Sequence, residues 1–148
     1  MLLKRYLVFT YICIYALSAN AQVNFASPLK IPLLMSASFG ELRPDHFHSG
    51  VDFKTEGVTG KEVTAADEGF VYLILVSPTG YGHSIFIRHP SGYSTVYGHL
   101  DRYAPEIAEY VKIQQYRNKS FAVTIYPPAD RLPVSKGQLI GYSGNTGG

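Results

Sequence analysis

A histidine and an aspartate stand four residues apart in the segment from His48 to Asp52. An imidazole nitrogen and a carboxylate oxygen both bind zinc at about 2 Å, so the two donor atoms must lie close together. In an extended strand, residues at this spacing lie about 13 Å apart, and the chain has to bend between them. Gly50 favours such a bend. The pair is therefore a candidate half of a metal site, although the same spacing also suits an ion pair at a bend.

The elements that must position this pair are predicted to be mostly strands. A helix would bring the two side chains together without a bend, but Pro44 and three glycines interrupt any helical run here. One helix is predicted, over about residues 105–116, with Pro105 in its first turn. The fold class that follows is mainly β, an antiparallel sheet or split-barrel-like domain with one inserted helix. Apolar runs and turn residues predict strands over residues 31–38, 51–54, 62–65, 69–76, 84–89, 93–97, 121–126 and 138–143. The short link Pro90-Ser91-Gly92 predicts that the strands over residues 84–89 and 93–97 pair as an antiparallel hairpin.

The first 21 residues are predicted to be a secretory signal peptide. Lys4 and Arg5 precede an apolar run, and Ala19-Asn20-Ala21 provides a small-residue cleavage site. We expect an exported protein of the periplasm or cell envelope, with no stable membrane span after cleavage. Residues 22–30 are predicted to form an N-terminal leader, and residues 31–148 a single domain.

Charge and cysteine content exclude several classes of function. The 148 residues contain 13 Lys+Arg and 11 Asp+Glu, and the signal peptide removes two of the basic residues, which leaves 13 − 2 = 11 against 11. A balance near zero gives no support for a nucleic-acid partner. The single cysteine, Cys13, also lies in the signal peptide, so neither disulfides nor a catalytic thiol is expected in the mature chain.

Further motifs follow the His48–Asp52 segment in a fixed order, and with them the chain resembles the lysostaphin-like (LytM-type) zinc endopeptidases, which cut peptide bonds in bacterial peptidoglycan. Each motif is weak alone, whereas their shared order and spacing are specific. The resemblance rests on Phe39-Gly40, His48-Ser49-Gly50-Val51-Asp52, Ala65-Ala66-Asp67-Glu68-Gly69, Gly80-Tyr81-Gly82, Tyr97-Gly98-His99-Leu100, Lys136-Gly137-Gln138 and Ser143-Gly144-Asn145-Thr146-Gly147.

The resemblance implies a role for three residues. His48 and Asp52 would bind one zinc ion, and His99 would be a catalytic histidine that faces the attacking water or the substrate oxyanion. The substrate would be the stem peptides or cross-links of peptidoglycan. The family takes its third zinc ligand and a second catalytic histidine from a His-x-His motif that follows the Gly-Asn-Thr-Gly loop.

No histidine follows His99 in this sequence, so the third ligand and second catalytic histidine are missing. Hydrolytic zinc usually needs three protein ligands and an open position for water. We therefore expect the domain to be incomplete, the chain as given to be inactive, and the reading frame to continue with His-x-His within about ten residues.

Two other classes of function stay open at this point. One is a catalytically inactive relative that binds the cell wall or activates another hydrolase, and the other is a carbohydrate-binding β module. Among individual residues, His46 lies two positions before His48 and is interpreted as a loop residue at the rim of the groove. Arg43 either contacts a substrate carboxylate or is simply solvated.

Overall fold

The computed structural model describes residues 23–44 and 46–147. The predicted signal peptide lies outside these ranges. Within them the chain forms ten strands and one helix, and none of its helical segments is long and apolar enough to cross a membrane. The elements are β1 (Met35–Ala37), β2 (Asp52–Phe53), β3 (Glu62–Thr64), β4 (Gly69–Val76), β5 (His83–Arg88), β6 (Ser94–Tyr97), β7 (Arg102–Tyr103), α1 (Pro105–Asn118), β8 (Val123–Ile125), β9 (Pro133–Val134) and β10 (Leu139–Tyr142).

The described strands form three sheets. β1 pairs with β2 in a short ribbon, β10 lies between β3 and β7, and the largest sheet has the order β6-β5-β4-β8, with β9 also paired to β4. Each of these pairs is antiparallel. The predicted mainly β class with antiparallel pairing and a single helix is therefore confirmed.

The predicted strands are found, with some shortening at their ends. β4 covers Gly69–Val76, the range that its unbroken apolar run predicts. The strand expected over residues 31–38 is reduced to Met35–Ala37. Pro32 explains part of the difference, because it has no backbone N–H to donate to a neighbouring strand. The strand expected over residues 121–126 is likewise reduced to β8.

The predicted hairpin of β5 and β6 is confirmed. Its register pairs Ile85 with Tyr97 and Arg88 with Ser94. The connecting turn closes where the N–H of Gly92 donates to the carbonyl of His89. Gly92 adopts a φ of 85°, which glycine reaches without the steric cost that a Cβ would add.

The helix α1 extends two residues beyond its predicted end and packs against β7 and β8. Its first turn contains Pro105, whose fixed φ suits that position. Ile107 and Val111, one turn apart, are its buried residues. The helix ends at Lys119, which adopts the left-handed conformation and donates its N–H back to the last turn. One apolar side therefore holds the helix on the sheets.

The core consists largely of β-branched residues from the two larger sheets. Five of these residues have no solvent exposure, and burial of each side chain contributes about 1.5–3 kcal/mol to stability. Because they come from β4, β5 and β10, the core joins the five-stranded sheet to the three-stranded sheet. These five are Val71, Ile74, Ile85, Ile87 and Ile140.

The residues of the predicted leader that the structure describes lie against β3. Leu29 is buried and forms an isolated antiparallel bridge with Val63. Thr64 donates its N–H to the carbonyl of Pro28, and Ala26 donates to Ala66. The segment contains no regular strand or helix, yet it contributes a side chain to the core.

Two tyrosines bury their hydroxyl groups in this core. Tyr103 donates its hydroxyl to the carbonyl of Leu75 at 2.6 Å, and Tyr97 Oη accepts the N–H of Ala66 at 2.7 Å. Burial raises the pKa of both phenols above the ordinary value, because it disfavours the charged phenolate. Both side chains therefore favour the neutral form in the folded state.

We expect this burial to make stability fall at alkaline pH. Unfolded tyrosine ionises near pH 10, whereas folded Tyr103 holds its proton, so stability declines as the pH rises above about 10. Tyr103→Phe should cost about 1 kcal/mol at neutral pH through the lost hydrogen bond and should make the alkaline decline shallower. Urea denaturation at a series of pH values measures both effects. The exposed Tyr116 provides the control Tyr116→Phe, and a decline as steep in Tyr103→Phe as in the parent would contradict the assignment.

Candidate metal and catalytic site

His48 and Asp52 are positioned by the ribbon of β1 and β2 and by a short hairpin between these two strands, which the bridge of Leu42 with Phe47 closes. Asp52 begins β2 and lies opposite Ala37 in the register. The backbone of His48 is bound on both sides, because its carbonyl accepts the N–H of Gly40 and its N–H donates to Glu41. Both members of the pair are therefore fixed against one segment, residues 37–41.

The donor atoms of the pair converge as the sequence predicted. His48 Nε2 lies 3.2 Å from Asp52 Oδ1, and the His48 side chain is only 15% exposed. The chain bends at Gly50, between the two residues. A Cβ at Gly50 would lie 3.7 Å from His48 Nε2, which is an ordinary van der Waals distance. The space around this position therefore does not require glycine, although the chain bends there.

Each member of the pair also uses a second atom to contact the same stretch of chain. His48 Nδ1 lies 3.0 Å from the carbonyl oxygen of Ser38. Arg43 Nη2 donates to Asp52 Oδ2 at 2.9 Å, and Arg43 Nε lies 3.7 Å from Glu41 Oε1. Arg43 therefore binds a side chain of its own site, and neither of the two alternatives considered from the sequence describes its position.

His99 is held in an uncommon backbone conformation between β6 and β7. Its φ is 54°, in the left-handed region that costs a non-glycine residue about 1–2 kcal/mol. The N–H of His99 donates to the carbonyl of Tyr81 at 2.8 Å, and its Nδ1 lies 2.8 Å from the carbonyl oxygen of Thr146. These contacts offset the strain, which is typical of residues at functional sites.

Tyr81 links the two halves of the candidate site. Its carbonyl binds the backbone of His99, and its hydroxyl lies 2.9 Å from the hydroxyl of Ser49, the residue after His48. The ring also packs near Gly98, where a Cβ would approach it at 3.3 Å. The structure thus brings His48 and Asp52 into direct contact and connects His99 to them through Tyr81 and Ser49.

The remaining histidines have other surroundings. His46 is exposed at the turn of the hairpin, where its carbonyl accepts the N–H of Arg43. His83 Nδ1 lies 3.2 Å from the carbonyl of Asp101. His89 is 3% exposed and contacts the carbonyl of Glu68 and the hydroxyl of Thr95. Among residues 23–44 and 46–147, no group of three or more His, Cys, Asp or Glu side chains is arranged to hold a metal ion.

Sequence reasoning missed the residues that orient the candidate side chains. Ser38 and Thr146 contact the two histidine rings through backbone carbonyls, which every residue possesses, so their side-chain types do not indicate these two contacts. Thr146 and Tyr81 lie in two of the motifs that support the family resemblance, Gly-Asn-Thr-Gly and Gly-Tyr-Gly. The motifs identify both segments but do not indicate which residues they contact.

The strain at His99 predicts an unusual order of stability among its variants. His99→Gly and His99→Ala both lose the imidazole, but glycine adopts the left-handed conformation freely. We therefore expect His99→Gly to be about 0.5–1 kcal/mol more stable than His99→Ala. Chemical denaturation compares the two, with the pair Gln115→Gly and Gln115→Ala inside the helix as a control that should show the opposite order. An alanine variant at position 99 as stable as the glycine variant would contradict this account.

Two comparisons with known proteins indicate which family the chain belongs to. The model of peptidase family M23 matches residues 46–120, about half of the chain. An uncharacterized metalloprotease of Haemophilus influenzae is 31% identical over 133 residues, which cover 90% of this chain and 22% of that protein. The chain therefore spans about a fifth of the length of this curated relative. The extent of the family match, together with the order of the motifs around His48, Asp52 and His99, shows that the chain belongs to peptidase family M23.

Proposed function

We propose that this chain is part of an exported zinc metalloendopeptidase that hydrolyses peptide bonds in bacterial peptidoglycan. His48 and Asp52 are the proposed zinc ligands, and His99 is the proposed catalytic histidine. A third ligand from a His-x-His motif completes the set in this proposal. The family match and the order of the motifs support the peptidase class, and the resemblance to lysostaphin-like enzymes supports the peptidoglycan substrate.

One observation carries the metal part of the proposal. A carbonyl oxygen only accepts hydrogen bonds, so the contact with Ser38 places a proton on His48 Nδ1 and leaves a lone pair on Nε2 of the neutral ring. Asp52 Oδ1 is also an acceptor and lies 3.2 Å from that nitrogen. Two acceptors at this distance are stabilised by a cation between them, either a proton or a metal ion.

The separation of the two donors suits zinc. Two atoms bound to a tetrahedral zinc ion at about 2.0–2.1 Å lie roughly 3.3 Å apart. The partners of the other two atoms also suit a ligand pair, because metal-binding histidines usually donate their second nitrogen to a carbonyl and metal-binding carboxylates are hydrogen-bonded in turn. Ser38 and Arg43 provide these contacts here.

The candidate residues have different roles in the proposed reaction. Bound by His48 and Asp52, zinc would polarise the scissile carbonyl and lower the pKa of a water molecule towards ~7. His99 would orient the attacking water or stabilise the oxyanion that develops on the substrate. Tyr81 holds the backbone of His99 and, through Ser49, the segment of the ligands.

The domain boundaries and the location belong to the same proposal. We place the signal peptide at residues 1–21, the leader at residues 22–30 and the peptidase domain from residue 31. Export would bring the domain to the compartment that contains peptidoglycan.

Two substitutions in the full-length gene product should separate metal binding from hydrolysis. Asp52→Ala should lose both zinc and activity, whereas His99→Ala should retain zinc and lose activity by at least about 100-fold. Elemental analysis measures the metal, and release of soluble fragments from purified peptidoglycan measures hydrolysis. Stoichiometric zinc in Asp52→Ala or undiminished turnover in His99→Ala would contradict these roles. An unmodified protein that binds zinc without hydrolysing peptidoglycan would favour an inactive cell-wall-binding relative.

The contact between Arg43 and Asp52 predicts an effect on metal affinity without direct ligation. Arg43→Met keeps an unbranched apolar side chain but leaves Asp52 Oδ2 without its donor, so zinc affinity should fall by about tenfold. Competition with a chelator in the full-length product measures the affinity. Arg117→Met, at the exposed end of the helix, removes the same charge elsewhere and should leave the affinity unchanged. Equal affinities of the two variants would exclude an orienting role for Arg43.

A further inference from the structure

Thr146 contacts two consecutive residues of the segment that carries the proposed catalytic histidine. Its carbonyl oxygen lies 2.8 Å from His99 Nδ1, and its hydroxyl donates to the carbonyl of Leu100 at 2.9 Å. The same hydroxyl accepts the N–H of His83 at 2.8 Å. One residue of the Gly-Asn-Thr-Gly turn is thus bound to β5 and to the loop after β6.

Three glycines lie so close to neighbouring backbone atoms that none of them could carry a Cβ without a steric clash. A Cβ on Gly82 would lie 2.2 Å from the carbonyl oxygen of Thr146, and a Cβ on Gly147 would lie 2.4 Å from the nitrogen of Gly82. A Cβ on Gly144 would lie 2.3 Å from the nitrogen of Asp101. Three glycines therefore allow the turn to lie directly on the segments on either side of His99.

The chemical consequence concerns the proton on the imidazole. The carbonyl of Thr146 cannot donate, so His99 Nδ1 must carry a proton to make this contact. In the neutral ring the lone pair is then on Nε2. A neutral His99 of this form can accept a hydrogen bond from water through Nε2, and it can donate from Nε2 only after it has itself been protonated.

We propose that Thr146 is a positioning residue that fixes His99 as the Nδ1–H tautomer. The hydroxyl of Thr146 holds the turn against Leu100 and His83, and the carbonyl of the same residue sets the tautomer. Of the two proposed roles of His99, orienting the attacking water and stabilising the oxyanion, this tautomer favours the first. The resting His99 can then accept a hydrogen bond from the attacking water. The importance of this for catalysis rests on the proposed function, but the tautomer itself does not.

Nuclear magnetic resonance of the metal-free, ¹⁵N-labelled full-length gene product tests the proposal without substrate. At about pH 8, above the ordinary pKa of histidine, long-range proton–nitrogen spectra distinguish a protonated ring nitrogen from an unprotonated one. We expect His99 to have the protonated signal at Nδ1 and the unprotonated signal at Nε2. A parent protein with the proton on Nε2 would overturn the proposal.

Substitutions at position 146 test the role of the hydroxyl. Thr146→Val keeps the shape and removes both hydroxyl contacts, so the Nδ1–H signature of His99 should be lost in favour of a mixture of tautomers. Thr146→Ser retains the hydroxyl and should retain the signature. Thr124→Val, an exposed position on β8, removes the same atoms from another threonine and should leave His99 unchanged.

The outcomes are distinct from those of the peptidase proposal. An unchanged tautomer in Thr146→Val would show that the hydroxyl does not position His99 and would overturn the inference. If Thr146→Val does not fold, the parent spectrum still decides the tautomer, and a proton on Nε2 of His99 there would overturn the proposal. A correct tautomer in a protein that does not cleave peptidoglycan would reject the proposed function alone.

Discussion

Two backbone carbonyls determine which nitrogen of each candidate histidine is available for chemistry. Ser38 occupies Nδ1 of His48, and Thr146 occupies Nδ1 of His99. In both neutral rings the nitrogen with the lone pair is therefore Nε2, which in His48 faces Asp52 Oδ1. The strands, turns and glycines described above have the common effect of placing these two carbonyls. A displacement of either one would change the chemistry of a histidine without changing its identity.

The sequence predicted those parts of the fold that depend on residue type. The apolar run of β4, the hairpin of β5 and β6 and the helix after Pro105 each have a pattern that few other structures accommodate. The bend between His48 and Asp52 was also predictable, because both residue types and a glycine mark it. The ends of β1 and β8 were not, since strand ends are set by neighbours that a pattern does not reveal.

The orienting contacts of the site could not be predicted in the same way. An acceptor carbonyl belongs to every residue, so nothing in the type of Ser38 or Thr146 indicates that its oxygen binds a histidine. Arg43 has a side chain capable of many contacts, and its choice of Asp52 depends on the turn of a hairpin that the sequence indicated only as a polar loop. The ordered motifs indicated which residues belong to the candidate site. The orientation of their side chains depends on contacts that form only in the folded chain.

The two halves of the site differ in how far along the chain their contacts reach, and this difference has a consequence for folding. The contacts of His48 and Asp52 join residues that are 4 to 10 positions apart. Those of Thr146 with Leu100, His99 and His83 span 46, 47 and 63 positions. Because closing a longer loop is slower and costs more entropy, the half around His48 and Asp52 can form before the turn at Thr146 has docked. A chain emerging during synthesis would then bring His48 and Asp52 together well before the carbonyl of Thr146 can orient His99.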